Sequence, residues 1–186
     1  MYPEVEPFDK DLSQYKYIYL GFPNWYAEPP RALYTFLKEN DFSGKIIIPY
    51  TSYEHKQDGF SDSIYILKSL LPNSIVLDNG LVIHRKEFGT AKEQTYAWLE
   101  KIATDIENVE LHPIPTVAEQ KESAKSLVGQ ILTKEQVEAA IGSYDKFVTG
   151  TNGCTRNITS ARFFYPGFVI YSRAEDDTHF EILSID

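Results

Sequence analysis

Two apolar runs separated by one helical pattern constrain this chain more than any other feature. Tyr17-Ile18-Tyr19-Leu20-Gly21-Phe22 leads into Pro23-Asn24-Trp25-Tyr26, and Ile46-Ile47-Ile48-Pro49-Tyr50 leads into Thr51-Ser52. Runs that are apolar on both sides read as buried strands of a parallel sheet rather than half-exposed hairpin strands. Between them Pro29-Pro30 opens a helix, Leu33, Phe36 and Leu37 recur at helical spacing, and Asn40-Asp41-Phe42-Ser43-Gly44 closes it. Strand, helix and strand make a crossover unit, and such crossovers are almost always right-handed. Both loops therefore leave the same carboxyl edge of the sheet, where open α/β sheets bind ligands. Glycine- and aromatic-marked strand ends suit a flat aromatic ligand.

The pattern continues downstream. Ser61-Asp62-Ser63 is placed to cap a helix whose Ile64, Leu67, Leu70 and Leu71 form an apolar stripe ended by Pro72-Asn73. Ile75-Val76-Leu77 and Leu81-Val82-Ile83 supply a third strand with an interruption at Asp78-Asn79-Gly80. Thr90 and Glu93 have capping-box spacing before a helix that carries Ala91, Thr95, Trp98, Leu99, Ile102 and Ile106 on one face. Residues 1–109 thus form an α/β domain.

The composition changes at Val109-Glu110-Leu111-His112-Pro113-Ile114-Pro115, whose two prolines read as a stiff linker. Helical patterns follow at about 117–130 and 134–142, the second opened by a Thr133/Gln136 capping box. Strand-like stretches at 146–149, 162–165, 168–171 and 179–183 come next, with turns marked at Asn152-Gly153 and Pro166-Gly167. Residues 110–186 are expected to form a small α+β domain with an antiparallel sheet and no assigned role.

Composition narrows the function classes. A formal charge of −9 argues against a grip on phosphate backbones, which needs clustered Lys and Arg, so nucleic acid is not an expected partner. No apolar run is long enough to span a bilayer, and the acidic, proline-rich start lacks the features of a secretory signal, so no membrane and a cytoplasmic location are expected. Cys154 is single, and His55, His84, His112 and His179 are scattered, so no metal site is expected.

The residues Gln14 through Tyr26, then Pro30, Thr35-Phe36-Leu37, Asp41-Phe42-Ser43-Gly44-Lys45-Ile46-Ile47-Ile48-Pro49, Leu70 through Asp78 and Trp98-Leu99 resemble flavodoxin-like FMN-binding proteins. The resemblance covers about residues 9–105. It implies a flavodoxin-like parallel sheet with FMN at its carboxyl edge, one aromatic loop stacking on the isoalloxazine ring and a second loop touching its far edge. Position by position it carries cofactor binding onto Pro23, Asn24, Trp25, Tyr26 and Ala27 in the first loop and onto Thr51 and Ser52 in the second. Trp25 and Tyr26 would stack on the flavin, and Asn24 and Ala27 would offer backbone groups to its polar edge.

Two departures stand beside the match. The strand and hydroxyl-rich turn that hold the FMN phosphate in that family have no counterpart before Asp9, so the sheet reads as N-terminally incomplete and the phosphate loop as absent. The second loop carries bulky residues, Tyr53 through Phe60, where the family has small ones. An incomplete sheet leaves the edge of Tyr17–Phe22 to be covered, by strands of the C-terminal segment, by a second copy of the chain, or by another polypeptide. The C-terminal segment is the natural candidate among these.

The string Thr149 through Thr155 reads as a structural turn rather than a phosphate loop, and Glu175-Asp176-Asp177 as a solvated turn. No nucleophile with a paired base and no carboxylate dyad appears, so any enzymatic activity is cofactor chemistry. Two function classes follow: a redox protein that moves electrons through noncovalent FMN, as a carrier serving a redox partner protein or as a small oxidoreductase, and a degenerate flavodoxin-like binding or assembly module that has lost FMN. A fragment of a longer flavoprotein is a third.

Overall fold

The computed structural model describes residues 2–54, 59–111, 113–151 and 157–186. His55, His112 and Cys154, and the turn expected at Asn152-Gly153, lie outside the described residues. The chain divides into two compact units, Met1–Ile114 and Pro115–Asp186.

The first unit runs β1 (Tyr17–Pro23), α1 (Arg31–Glu39), β2 (Ile46–Tyr53), α2 (Phe60–Leu70), β3 (Ile75–Val76), β4 (Leu81–His84), a 3₁₀ turn over Arg85–Thr90, and α3 (Ala91–Leu111). Every strand pair is parallel. β1 lies on one side of β2, while β3 and β4 share the other, opposite Ile46–Ile47 and Tyr50–Tyr53 respectively. They form one strand position broken where the sequence placed the break. Gly80 sits at that break, and a Cβ there would lie 2.5 Å from the Pro49 carbonyl oxygen and 2.2 Å from the Phe60 ring.

Side chains of a strand alternate between faces, so a strand buried on both must be apolar at consecutive positions. β2 meets that demand. Ile47 packs with Leu20, Phe22, Leu37, Ile64 and Leu67 beneath α1 and α2. Ile46 and Ile48 pack on the opposite face with Leu77 and Ile102, flanked by Trp98 and Ile106 of α3. β1 departs from expectation: Leu20 and Phe22 are buried, but Tyr17 and Tyr19 are 38% and 49% exposed. The reason is position. β1 is an edge strand that hydrogen-bonds to β2 alone among the described residues, and α3 reaches it through the Trp98 ring edge on Tyr19 and through Glu110, which accepts from Lys16 and Tyr17.

Among the described residues the C-terminal strands pair with one another in a sheet of their own, and none pairs with β1, the edge that the sequence suggested they would cover. The acidic N-terminal segment instead lies along α1. The Thr35 hydroxyl donates to the Pro3 carbonyl at 2.7 Å, Tyr2 stacks on Tyr34 at 5.3 Å, and Phe8 meets Phe36 edge-on at 5.3 Å.

Three element boundaries move from their expected places. α2 starts at Phe60 after Gly59, so Ser61-Asp62-Ser63 forms its first turn rather than its cap. Thr90 donates its hydroxyl to the Glu87 carbonyl at 3.1 Å and accepts from Gln94 at 3.0 Å, which replaces the expected box with Glu93. α3 continues to Leu111, and the two units divide between Ile114 and Pro115, inside the stretch 109–115 read as a linker.

The second unit runs α4 (Val117–Lys125), β5 (Ile131–Thr133), α5 (Lys134–Ile141), β6 (Lys146–Thr151), β7 (Ile158–Tyr165), β8 (Phe168–Ala174) and β9 (His179–Ile185). Its antiparallel sheet has the order β5-β9-β8-β7-β6. Thr133 and Gln136 make the expected capping box, and Thr116 with Glu119 makes another at α4. Phe163, Tyr165, Phe168, Ile170, Phe180 and Ile182 form the buried face under Val137 and Ile141. The Tyr165 hydroxyl donates to the Gly142 carbonyl at 3.0 Å, and burial raises its pKa well above the phenolic range. Thr149, Gly150 and Thr151 continue β6, and the remainder of that string, residues 152–155, lies outside the described residues. In the Glu175-Asp176-Asp177 turn, Asp176 accepts the backbone N–H of Thr178 and of His179, each at 2.7 Å, and these bonds hold its carboxyl well below the usual range.

Candidate functional site

The parallel register sets Pro23 opposite Ser52, and the Asn24 N–H extends the ladder by donating to the Ser52 carbonyl at 3.1 Å. The two strand ends therefore leave the sheet side by side. Thr51, one position earlier, faces the other way: its buried hydroxyl donates to the Phe22 carbonyl at 2.6 Å. That bond ties β1 to β2, and Thr51 is not among the residues that line the cleft described below.

Trp25 and Glu28 exchange backbone hydrogen bonds of 2.9 and 3.0 Å, closing a two-residue turn in which Tyr26 and Ala27 have φ of 53° and 68°. A turn with both central residues at positive φ usually uses glycine or asparagine. Holding Tyr and Ala there costs of order 1 kcal/mol or more each, strain that persists only where surrounding contacts enforce it. Those contacts are visible. The Glu28 carboxylate pairs with Arg31 at 3.0 Å and accepts from the Tyr34 hydroxyl at 3.4 Å, and burial, then the nearby Glu28 charge, raises the Tyr34 pKa. On the other side Gly59 lies so close that a Cβ would stand 2.4 Å from the Ala27 Cα, and the Ser63 hydroxyl donates to the Ala27 carbonyl at 3.3 Å.

A third wall comes from the 3₁₀ turn after β4. Arg85 forms an ion pair with Glu54. His84 accepts the Lys86 N–H on Nδ1 at 3.3 Å, which leaves Nε2 to donate to the Glu54 carbonyl at 2.7 Å. Tyr53 packs on the His84 ring at 4.9 Å. Tyr53 and Glu54, at the start of the second loop, are thereby fastened to His84 and Arg85.

Between these walls lies a cleft of about 660 Å³. Pro23, Asn24, Trp25, Tyr26, Ala27 and Ser52 line it, which is the expected set without Thr51. Tyr53, Glu54, Gly59, Arg85 and Phe88 complete the lining among the described residues. The volume falls within the roughly 300–1,000 Å³ of small-molecule sites, and mostly apolar walls with few polar groups are their usual chemistry. Trp25 is 60% exposed and Tyr26 fully so, which leaves both rings open to a stacking partner. The Asn24 Oδ1 is closed off from solvent with no hydrogen-bond partner among the described residues.

Sequence reasoning placed the polar contacts on backbone groups of Asn24 and Ala27, yet the Asn24 N–H is committed to Ser52 and the Ala27 carbonyl to Ser63. It missed Arg85 and Phe88. No periodic or motif signal marks them, because they reach the cleft through a short 3₁₀ turn that the helical pattern of α3 concealed.

A family model described as flavodoxin matches residues 1–102. Among solved structures, a candidate flavoprotein from Bacteroides eggerthii DSM 20697 is 23% identical, with a TM-score of 0.45 over 55% of this chain and 60% of that one. The match thus spans less than two thirds of that protein's chain. No curated protein gives a significant match.

Proposed function

The chain belongs to the flavodoxin family, and from that premise we propose that the cleft between the Trp25 turn and the second loop holds the isoalloxazine ring of noncovalent FMN. On this reading the protein is redox-active, either as an electron carrier that docks a partner protein or as a small oxidoreductase. The observation that supports it most is the turn itself. Two non-glycine residues held at positive φ against Gly59 present an exposed indole at the carboxyl edge of a parallel sheet.

The residues fit the ring. Trp25, Tyr26 and Phe88 offer aromatic faces, Ser52 and Asn24 offer hydrogen-bonding groups, and Gly59, where any Cβ would collide with Ala27, lets the Trp25 turn pack close against the start of α2. A bound flavin supplies electron transfer that no side chain of the cleft performs. Trp25, Tyr26 and Phe88 would hold the ring and shield it from water, and Ser52 and Asn24 would set the polarity at its edge. Among the described lining residues the single cation is Arg85, already paired with Glu54. The aromatic faces of Trp25, Tyr26 and Phe88 are expected to carry much of the affinity, which riboflavin, a flavin without phosphate, measures directly.

Mixing the purified chain with FMN and with riboflavin tests this. Expected is quenched flavin fluorescence at micromolar concentrations for both, within a few-fold of each other. No quenching up to millimolar flavin refutes the reading.

A second reading rests on β1. Its outer edge is unpaired among the described residues, and Tyr19 and Tyr50 stand partly exposed beside it. An edge of this kind suits a binding or assembly module that adds a strand from a second copy or another polypeptide. Sedimentation of the chain over a hundredfold concentration range tests self-association, and a monomer throughout argues against the second copy.

A further inference from the structure

We propose that β1 pairs with β1 of a second copy of the chain, antiparallel and centred on Tyr19, so that two parallel sheets join into one. This rests on the assembly reading of the β1 edge and commits it to one occupant and one register.

The ladder beside β1 fixes which of its backbone groups are free. The Ile46 N–H donates to the Lys16 carbonyl at 2.9 Å and the Asn24 N–H to the Ser52 carbonyl at 3.1 Å, so the even-numbered residues of β1 face β2. Tyr17, Tyr19 and Gly21 therefore turn their N–H and C=O groups outward, where they have no backbone partner among the described residues. Antiparallel pairing about Tyr19 sets Tyr17 opposite the partner's Gly21, and Tyr19 opposite the partner's Tyr19. Residues opposed in this way exchange both backbone bonds, so every outward group of the strand is used. In this register β1 is complementary to itself.

The side chains agree with the backbone. Tyr17, Tyr19 and Gly21 share the face of the sheet on which Tyr19 meets Trp98 of α3. Gly21 has no side chain to oppose the ring of the partner's Tyr17, and the Tyr50 ring leans over it, so close that a Cβ on Gly21 would lie 2.2 Å away. Pairing gathers the exposed Tyr17, Tyr19 and Tyr50 of both copies into one aromatic row, and tyrosine is a residue that interfaces favour. No charged residue falls between Tyr17 and Phe22, so a chain of net charge −9 meets its copy along a neutral seam.

The other sheet edges among the described residues are protected. β5 has only three residues, β6 begins with Lys146 and shifts register at Gly150/Thr151, and the far side of the parallel sheet is broken between β3 and β4. Short strands, lysines and irregular registers are what keep an edge from pairing. From Tyr17 to Phe22, β1 carries none of them. Because the same patch serves both copies, the contact closes after two and gives a dimer rather than a fibre.

The test uses the full chain in a Cys154→Ser background, where an introduced thiol is the sole one. Tyr19→Cys puts two thiols on residues whose Cα atoms face each other across the seam at about 5.5 Å, within disulfide reach. Tyr17→Cys leaves its two copies about 14 Å apart, beyond that reach. Under mild oxidation Tyr19→Cys is expected to form a covalent dimer and Tyr17→Cys at least tenfold less of one. Wild type is expected to sediment as a concentration-dependent monomer–dimer equilibrium. Tyr19→Lys, which sets two like charges opposite each other, is expected to sediment as a monomer with unchanged far-UV circular dichroism. A wild-type dimer in which Tyr19→Cys crosslinks no better than Tyr17→Cys overturns the proposed register. A wild-type monomer throughout overturns the second copy as occupant and leaves the assembly reading to another polypeptide.

Discussion

Replacing Gly59 with alanine tests the link between the two loops. The new Cβ would lie 2.4 Å from the Ala27 Cα and 2.5 Å from its Cβ, where carbon atoms in ordinary contact stand about 3.5–4.0 Å apart. One loop must therefore retreat by about 1 Å. Neither partner yields cheaply. Gly59 is the residue on which α2 starts, and Ala27 belongs to a turn closed by two backbone bonds to Glu28. Overpacking against backbone costs about 1–3 kcal/mol, equivalent to a Tm loss of roughly 4–8 °C per kcal/mol for a unit of this size. The chain's two tryptophans, Trp25 and Trp98, both lie in the first unit, so their emission during urea or thermal unfolding reports that unit alone. Flavin quenching on the same variant is expected to weaken about tenfold, since the retreat moves the floor beneath Trp25. Gly89→Ala is the control. No atom lies within 4 Å of its built Cβ and its φ is not positive, so it is expected to change stability by no more than about 0.5 kcal/mol. If Gly59→Ala matches Gly89→Ala in both midpoint and flavin affinity, the close approach does not shape the cleft and the argument fails.

Other perturbations address separate parts of the molecule. Trp25→Ala is expected to lower flavin affinity about tenfold through lost stacking, with little effect on Tm because the indole is mostly exposed; an unchanged affinity removes the stacking role. Leu67→Ala, at a fully buried site beneath α2, is expected to destabilise the first unit by about 2–5 kcal/mol in urea unfolding followed by tryptophan emission. The second unit should weaken in alkali. Burial raises the Tyr165 pKa in the folded state, so above about pH 10 the unfolded chain loses this proton while the folded one keeps it, and stability falls as pH rises. Tyr165→Phe is expected to flatten that decline and, by leaving the Gly142 carbonyl without its donor, to cost about 1–2 kcal/mol at neutral pH, read by near-UV circular dichroism.

The parts of this fold that were legible in the sequence are those where one local rule acts alone. Consecutive isoleucines at 46–48 admit little except a strand covered on both faces, and that strand is the centre of the parallel sheet. The break at 78–80 showed because glycine beside two polar residues interrupts an apolar run. Where two rules compete, local pattern misleads. Tyr17 and Tyr19 look like core residues, and their exposure follows from β1's place at the sheet edge, a fact of topology. Thr51 and Ser52 look interchangeable in a chain of letters, but the two-residue period turns one into the sheet and the other toward the cleft. Thr90 and Glu93 have the spacing of a capping box, yet the 3₁₀ turn ahead of them claims the threonine hydroxyl. Arg85 and Phe88 reach the cleft through that same turn, so the site's third wall depended on a connection that carries no periodic signal.

The left-handed pair at Tyr26 and Ala27 sets the ease of folding against the make-up of the cleft wall. Glycine in place of Tyr26 would carry no steric penalty at positive φ and would relax the turn. The same substitution would strip the wall of a fully exposed tyrosine ring, so relief of strain and loss of ring surface come together.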